Sequence, residues 1–460
     1  MSTTPGTGSR FNRRSFLRHS AALGAAGTGI MSLDLLAACG SATSSTSSTV
    51  MATVNSLPAS TNPGAIYVFN QGVKAFEQAY PNEKIVGKND PYDPTTYFAK
   101  LAANQQEDGI QSYFTEPPLL IAKHAAADIT SLAKSWQYFN DYVPSIASIV
   151  TSGGKVYGIP VNGYVLGIYY NRKMFQAAGL DPDKPPTTWD EFRGYAKQLK
   201  TSSVAGFAET STSNQGGWHF TNWMYTAGGD MESADGTKAT FNSSQGASVL
   251  QLLKEMRFTD NSMTKQQLFT QADTLQLLAT NKVAMVMMAP DQLSNLKSQY
   301  QADLSNFGIG PMPQSGGNAV LTGGNLWVFN PKSSAEAIKA AFDYVIYSNF
   351  NLNVVESSLA QQAASGQAVG APTAVLFQGD FQQKLSTLYS KYANVPLQNY
   401  TSFINAKLAL RPEPHNQTQK MYAALDPVVQ AVLTNPSADP QALLNQAAQQ
   451  FQKILDQSAS

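Results

Sequence analysis

A two-lobed α/β fold is what this sequence of 460 residues predicts, and three observations predict it. The chain exceeds the roughly 250–300 residues at which a single hydrophobic core stops growing. Strand-like runs alternate with helix-like ones along the body, the rhythm of an α/β architecture. Hydrophobic residues make up 43% and charged residues 13%. That apolar share is ordinary for a globular chain, with amides and hydroxyls replacing much of the usual surface charge.

The first 38 residues stand apart. Arg10, Arg13, Arg14 and Arg18 precede a weakly apolar run from Ala21 to Leu33, and small residues follow at Ala37 and Ala38. Charged, apolar, small is the order of an export leader. The run falls short of the roughly 17–25 apolar residues of a bilayer span, and Asp34 interrupts it. Asn12-Arg13-Arg14-Ser15-Phe16-Leu17 resembles a twin-arginine (Tat) export motif, and Leu36-Ala37-Ala38-Cys39 resembles a bacterial lipobox. These resemblances imply that Cys39 becomes an acylated N-terminus, tethering the body at the extracytoplasmic face of the cytoplasmic membrane. Cys39 is the single cysteine, so disulfides and cysteine zinc sites are excluded. Residues 39–49 are almost entirely Ser, Thr, Ala and Gly and read as a flexible leash. Beyond residue 38 the chain carries 27 basic and 30 acidic residues, so no basic field draws nucleic acid.

Val50 to Ser56 reads as the first strand of the body. Ile66, Phe69, Val73, Phe76 and Ala79 share one side of a helix predicted over 64–80 and ended by Pro81-Asn82. Lys84 to Gly87 is a strand, Pro94 to Asn104 a helix, and Ile110 to Phe114 a strand stopping before Thr115-Glu116-Pro117-Pro118. Ile168 to Asn171 and Val283 to Met288 are further strands. Between them Thr188 caps a helix running to Lys200, with Glu191 closing a capping box. From Gln417 onward the chain is mostly helical.

Catalytic and metal signatures are missing from the sequence. His19, His124, His219 and His415 are scattered and form no H-E-x-x-H pair. No nucleophile elbow or phosphate loop occurs, and Asp181-Pro182-Asp183 lacks the glycine and glutamate of a calcium loop. No metal or cofactor is expected. Two carboxylates suffice for glycoside cleavage. Glu116, Glu209, Asp230, Asp291 and Glu413 therefore keep an enzyme reading open, beside the reading of each as a solvated or hydrogen-bonded acid.

Several stretches, in order, resemble the solute-binding proteins of ABC importers, in particular the carbohydrate-binding family that includes maltose-binding protein. They are Phe76-Glu77-Gln78-Ala79-Tyr80-Pro81, Lys155-Val156-Tyr157-Gly158-Ile159-Pro160 followed by Ile168-Tyr169-Tyr170-Asn171-Arg172, and Ala178-Gly179-Leu180. Pro185-Pro186-Thr187-Thr188-Trp189-Asp190-Glu191-Phe192 is the most specific, and Asn281-Lys282-Val283-Ala284-Met285 and Arg411-Pro412-Glu413-Pro414 follow. The resemblance implies a type II periplasmic-binding fold, two α/β lobes joined by hinge strands and closing on a ligand. It places crossings near 161–165, 307–313 and 352–365. Lobe 1 would be 50–161 plus 310–357, and lobe 2 would be 162–309 plus 358–460. It also implies permease subunits as partners, a monomer, and a sugar or short oligosaccharide as ligand. A non-sugar solute, a polyamine or a peptide, is the other binding reading.

A sugar ring presents C–H faces to aromatic rings and hydroxyls to amides and carboxylates. Asn214-Gln215-Gly216-Gly217-Trp218-His219 offers both in what reads as one loop. Trp218 is the candidate stacking platform or else a core tryptophan, Gly217 and His219 are its neighbours, and Trp223 reads as core. By the resemblance, Tyr164 lies in the first hinge block and Glu116 where relatives place an acidic sugar ligand. Asn55 ends the first strand. Gly324 belongs to a turn whose missing Cβ admits a ligand. Asn325 and Asp291 stand where many relatives carry aromatic platforms, which implies a short sugar with polar contacts. Arg411 is either a ligand contact or an ion-pair residue.

Overall fold

The computed structural model describes residues 49–60 and 63–459. The leader, Cys39 and the leash up to residue 48 lie outside them. The strands are β1 (Val50–Val54), β2 (Glu83–Gly87), β3 (Gly109–Tyr113), β4 (Thr151–Ser152), β5 (Lys155–Val156) and β6 (Gly158–Val165). After them come β7 (Gly167–Asn171), β8 (Ala205–Ala208), β9 (Val283–Met288), β10 (Phe307–Gly310), β11 (Ala319–Phe329) and β12 (Ala409–Pro412).

Two main sheets define two lobes. The first runs β12-β11-β3-β1-β2, with β6 also pairing β11. Its β1 is parallel to β2 and β3, so each step needs a crossover, the first made by the Pro63–Ala79 helix. Phe76 from that helix joins Ala52, Val54, Ile110 and Val328 in the first core. The second sheet runs β10-β7-β9-β8. Its side chains alternate between two cores: Ile168, Tyr170, Met285 and Met287 on one face, Tyr169, Val286 and Met288 on the other. With both faces covered, β9 is apolar and buried throughout, VAMVMM.

The expected elements appear with small shifts. The helix expected over 94–104 shortens to Tyr97–Ala102, because Asp93 accepts hydrogen bonds from the backbone and hydroxyl of Thr95 and holds a turn there. The Thr188–Glu191 capping box forms as read from the sequence. Thr188→Ala should cost about 1 kcal/mol, read as a lower urea midpoint at unchanged slope.

The first expected crossing lies in β6, but the other two differ from expectation. Residues 307–310 stay in the second sheet as β10, antiparallel to β7. The passage is made inside β11, whose Val320 and Leu321 pack in the second core and whose Leu326 to Phe329 pack in the first. A continuous strand spans both lobes because its ladder partner β6 does the same. Residues 352–364 form a helix rather than a crossing strand. Beyond them the chain touches the cores in alternation: Ala368 in the third cluster, Leu376, Phe377 and Phe381 in the first core, Val395 and Tyr400 back in the third.

Candidate functional site

β6 and β11 run antiparallel through the passage, with Tyr164 opposite Gly323 and Asn162 opposite Asn325. A Cβ on Gly163 would meet Ala374 and Leu376 at 3.0 Å. Successive strand side chains face opposite ways, so Tyr164 points to the other face. There its hydroxyl accepts from Trp218 Nε1 at 3.1 Å and donates to Glu413 Oε2 at 3.4 Å. Tyr422 donates to Glu413 Oε1 at 3.0 Å. Gly323 makes the cluster possible, since a Cβ would stand 2.2 Å from Tyr164 Oη and 2.6 Å from Glu413 Oε2. Trp218 meets the Tyr164 ring edge-on, centroids 5.8 Å apart at 81°. It is half-buried, so part of its ring is open to a solute.

Glu413 is 8% exposed. Burial pushes its carboxyl up to about 7; the charge of Glu116 adds to this, while the hydrogen bonds from Tyr422 and Tyr164 oppose it. The folded chain therefore holds a proton that the unfolded chain releases near 4.5. This residue's contribution to stability is complete below that pH and is lost as pH rises through about 7.

Glu116 follows β3 at the start of the Pro117–Ala122 helix. It accepts from Tyr92 Oη at 2.6 Å and Thr115 Oγ1 at 2.7 Å. Tyr113 stands opposite Asn325, 41% exposed, yet burial, then Glu116 and Asp93, raise its phenol. Asp291 shows the same pairing: it is exposed, burial raises its carboxyl, and its charge acts on Tyr164.

Trp218 and Tyr164 are thus in direct contact, Tyr164 with Glu413 as well; Asp291 acts on Tyr164 and Glu116 on Glu413 through their charge, and Asn325 lies two positions along β11 from the Gly323 that faces Tyr164. Asn325 receives Asn162 Oδ1 on its backbone N–H at 3.0 Å. The other expected residues are engaged elsewhere. Asn55 is buried and spends both amide atoms on the backbone of Gln111, at 3.2 and 2.8 Å. Gly324 makes room for β6, a Cβ there lying 2.1 Å from the Asn162 carbonyl. The stretch read as a loop is the start of the Gln215–Thr226 helix, whose free N–H groups are capped from another helix. Asp426 accepts from Asn214 N at 2.7 Å and Gly217 N at 2.9 Å. Gly217 is buried under Tyr422. His219 is buried, its Nδ1 paired with Glu209 and 2.8 Å from Thr210 Oγ1. Arg411 takes its ion-pair alternative, bonded to Asp230 and the Gly229 carbonyl and stacked 3.9 Å from the Tyr225 ring centroid.

Sequence reasoning weighed Glu413 as a hydrolytic acid or a solvated or hydrogen-bonded one, of which the structure shows the hydrogen-bonded acid, and missed Tyr92, Tyr113 and Tyr422. The available signal was a glutamate between Pro412 and Pro414, an extended dipeptide frame that fixes its backbone. A groove of about 600 Å³ lies on the reverse face of β6, lined by Val161, Val165, Met312, Ala374 and Phe403. Asn162, Asn349, Gln382 and Ser386 also line it, so its walls are mixed. Among the described residues no group of three or more His, Cys, Asp or Glu is placed to hold a metal, and no helix is long and apolar enough to cross a membrane.

Two α/β lobes with a strand pair crossing between them make up the type II periplasmic-binding fold. The chain belongs to the bacterial extracellular solute-binding protein family, whose model matches residues 60–346. The sn-glycerol-3-phosphate-binding periplasmic protein UgpB of Salmonella typhimurium is 27% identical over 289 residues, 56% of this chain and 61% of its own. UgpB of Yersinia pestis is 26% identical over 304 residues, 59% and 64%. The match thus spans less than two thirds of these relatives. A solute-binding protein from Thermotoga lettingae bound to α-D-tagatose shares the fold at TM-score 0.70 and 21% identity, covering 88% of this chain and 99% of its own. UgpB from Mycobacterium tuberculosis with glycerophosphocholine does so at 0.67 and 15%, covering 87% and 98%.

Proposed function

We propose that the chain is the substrate-binding subunit of an ABC importer for a sugar or short oligosaccharide, gripping it by hinge closure with no bond made or broken. The observation that carries this is the cluster itself. Trp218 offers a ring face, the Tyr164 hydroxyl, Asp291 and Asn325 offer hydroxyl partners, the buried Glu413 and Glu116 hold the tyrosines around them, and the nearby cation, Arg411, is already paired. In this reading lobe 1 takes 50–161 and 310–357 and lobe 2 takes 162–309 and 358–460, amended where 319–321 pack with the second core and 376–381 with the first. The twin-arginine leader and Cys39 support export and a lipid anchor, and the family supports permease subunits as partners of a monomer.

The names of the curated relatives favour a second reading, a glycerophosphate-type ligand. Such an anion needs a cation or free N–H donors; Arg411 would have to leave Asp230, or Asp426 the N–H groups it caps, to supply them. A thermal-shift screen of the full chain against neutral sugars, sn-glycerol-3-phosphate, glycerophosphocholine, spermidine and peptides separates the readings. A ligand at one hundred times its Kd adds about 2.7 kcal/mol. Shifts with sugars are expected, and shifts with phosphates or polyamines alone would overturn the sugar class. Recovered ligand should be chemically unchanged; cleavage products would make two of the carboxyls Glu116, Asp291 and Glu413 a hydrolytic pair. Trp218→Ala should weaken binding by about 1.5–3 kcal/mol through lost ring contact while the fold stays intact, measured by calorimetric titration beside circular dichroism.

A further inference from the structure

We propose that Glu413 is a positioning residue of the cleft: through Tyr164 it holds Trp218, and its own proton decides whether the Tyr164 hydroxyl meets a ligand as donor or as acceptor. The inference rests on the cleft being the ligand site and adds a control on what that site can recognise.

A phenol has one O–H donor and two acceptor lone pairs. The Trp218 indole only donates, so it occupies one lone pair of Tyr164, at 3.1 Å. An ionised Glu413 only accepts, which commits the Tyr164 proton to it and leaves one lone pair for a ligand. A protonated Glu413 can donate to Tyr164 Oη instead. The phenol proton is then released toward the cleft, and Tyr164 changes from acceptor to donor without any heavy atom moving far. Tyr422 donates to the other carboxyl oxygen in either state.

The groups facing Glu413 permit both states. Tyr164 approaches from β6, Tyr422 from the Thr418–Thr434 helix, Tyr225 from the Gln215–Thr226 helix and Glu116 from the first lobe. Arg411 is held by Asp230, and Glu232 accepts the backbone N–H groups of His415 and Asn416. Among the described residues no cation pairs with this carboxyl, and burial places its midpoint at about 7. Both protonation states are therefore populated near neutral pH.

The test needs no ligand. The full chain is labelled with nitrogen-15 tryptophan, and the Trp218 indole resonance, assigned by its loss in Trp218→Phe, is followed from about pH 5 to about pH 9. In the wild type it should move with a midpoint of about 7. It should be flat in Glu413→Gln, which keeps the shape without the titration, and flat in Tyr164→Phe, which removes the relaying hydroxyl. Should Glu413→Gln fail to fold, Tyr164→Phe carries the test alone. A flat wild-type resonance overturns the proposal. So does a shift that persists in either variant. A failed sugar screen beside an intact titration would remove the sugar assignment and leave Glu413 in this role.

Discussion

Trp223→Ala is expected to lower the unfolding free energy by about 3–5 kcal/mol, the range for emptying a core of a large aromatic. Trp223 is 0% exposed. It packs against Trp189, Phe192 and Phe207, with centroids 6.0, 5.4 and 6.4 Å away. Its indole N–H donates to Glu209 Oε2 at 2.8 Å. Truncation therefore leaves both a void and a buried carboxyl oxygen without its donor, itself worth about 1–3 kcal/mol. Trp223→Phe isolates the second effect by keeping most of the volume. Urea unfolding should show a lower midpoint at unchanged slope for both variants, much the larger for alanine. A midpoint shift under about 1 kcal/mol for Trp223→Ala would mean that the packing around it is wrong.

Trp218 and Trp223 share one helix, and their division of labour was partly legible in the sequence. The aromatic beside amides and glycines read as a platform and the one a turn later as core, and the structure buries only Trp223 completely. Pattern-based signals read well elsewhere too. The continuous apolar run of β9 and the Thr188–Glu191 box declare themselves because each depends on residues adjacent in the chain. What stayed hidden depends on residues far apart. Glu413 lies 249 positions from Tyr164, and nothing local to Arg411-Pro412-Glu413-Pro414 says that its carboxyl will sit on a hinge-strand phenol. Gly324 was read as room for a ligand when the occupant is the β6 backbone, and its neighbour Gly323 makes room for Tyr164. A missing Cβ signals close approach, but the sequence does not say what approaches. The crossing inside β11 was missed for a related reason: a strand that serves two cores shows no break in its apolar pattern where it passes between them.

Gly217 turns that ambiguity into a sharp expectation. Read from sequence as a ligand contact, it would lose affinity on acquiring a side chain and keep its stability. The structure predicts the reverse. A Cβ on Gly217 would stand 2.4 Å from Tyr422 Cα and 2.6 Å from the Tyr422 carbonyl oxygen. These are backbone atoms of the Thr418–Thr434 helix, so no rotamer change relieves the contact and the two helices must separate. Separation would also strain the bonds from Asp426 that cap the Gln215–Thr226 helix. Gly217→Ala should cost at least the roughly 1–3 kcal/mol typical of overpacking, seen as a lower Tm. Affinity measured well below that Tm should fall less than in Trp218→Ala, because the indole and its Tyr164 partner are both retained. Unchanged stability with lost binding would return Gly217 to the cleft and overturn the helix packing described for it.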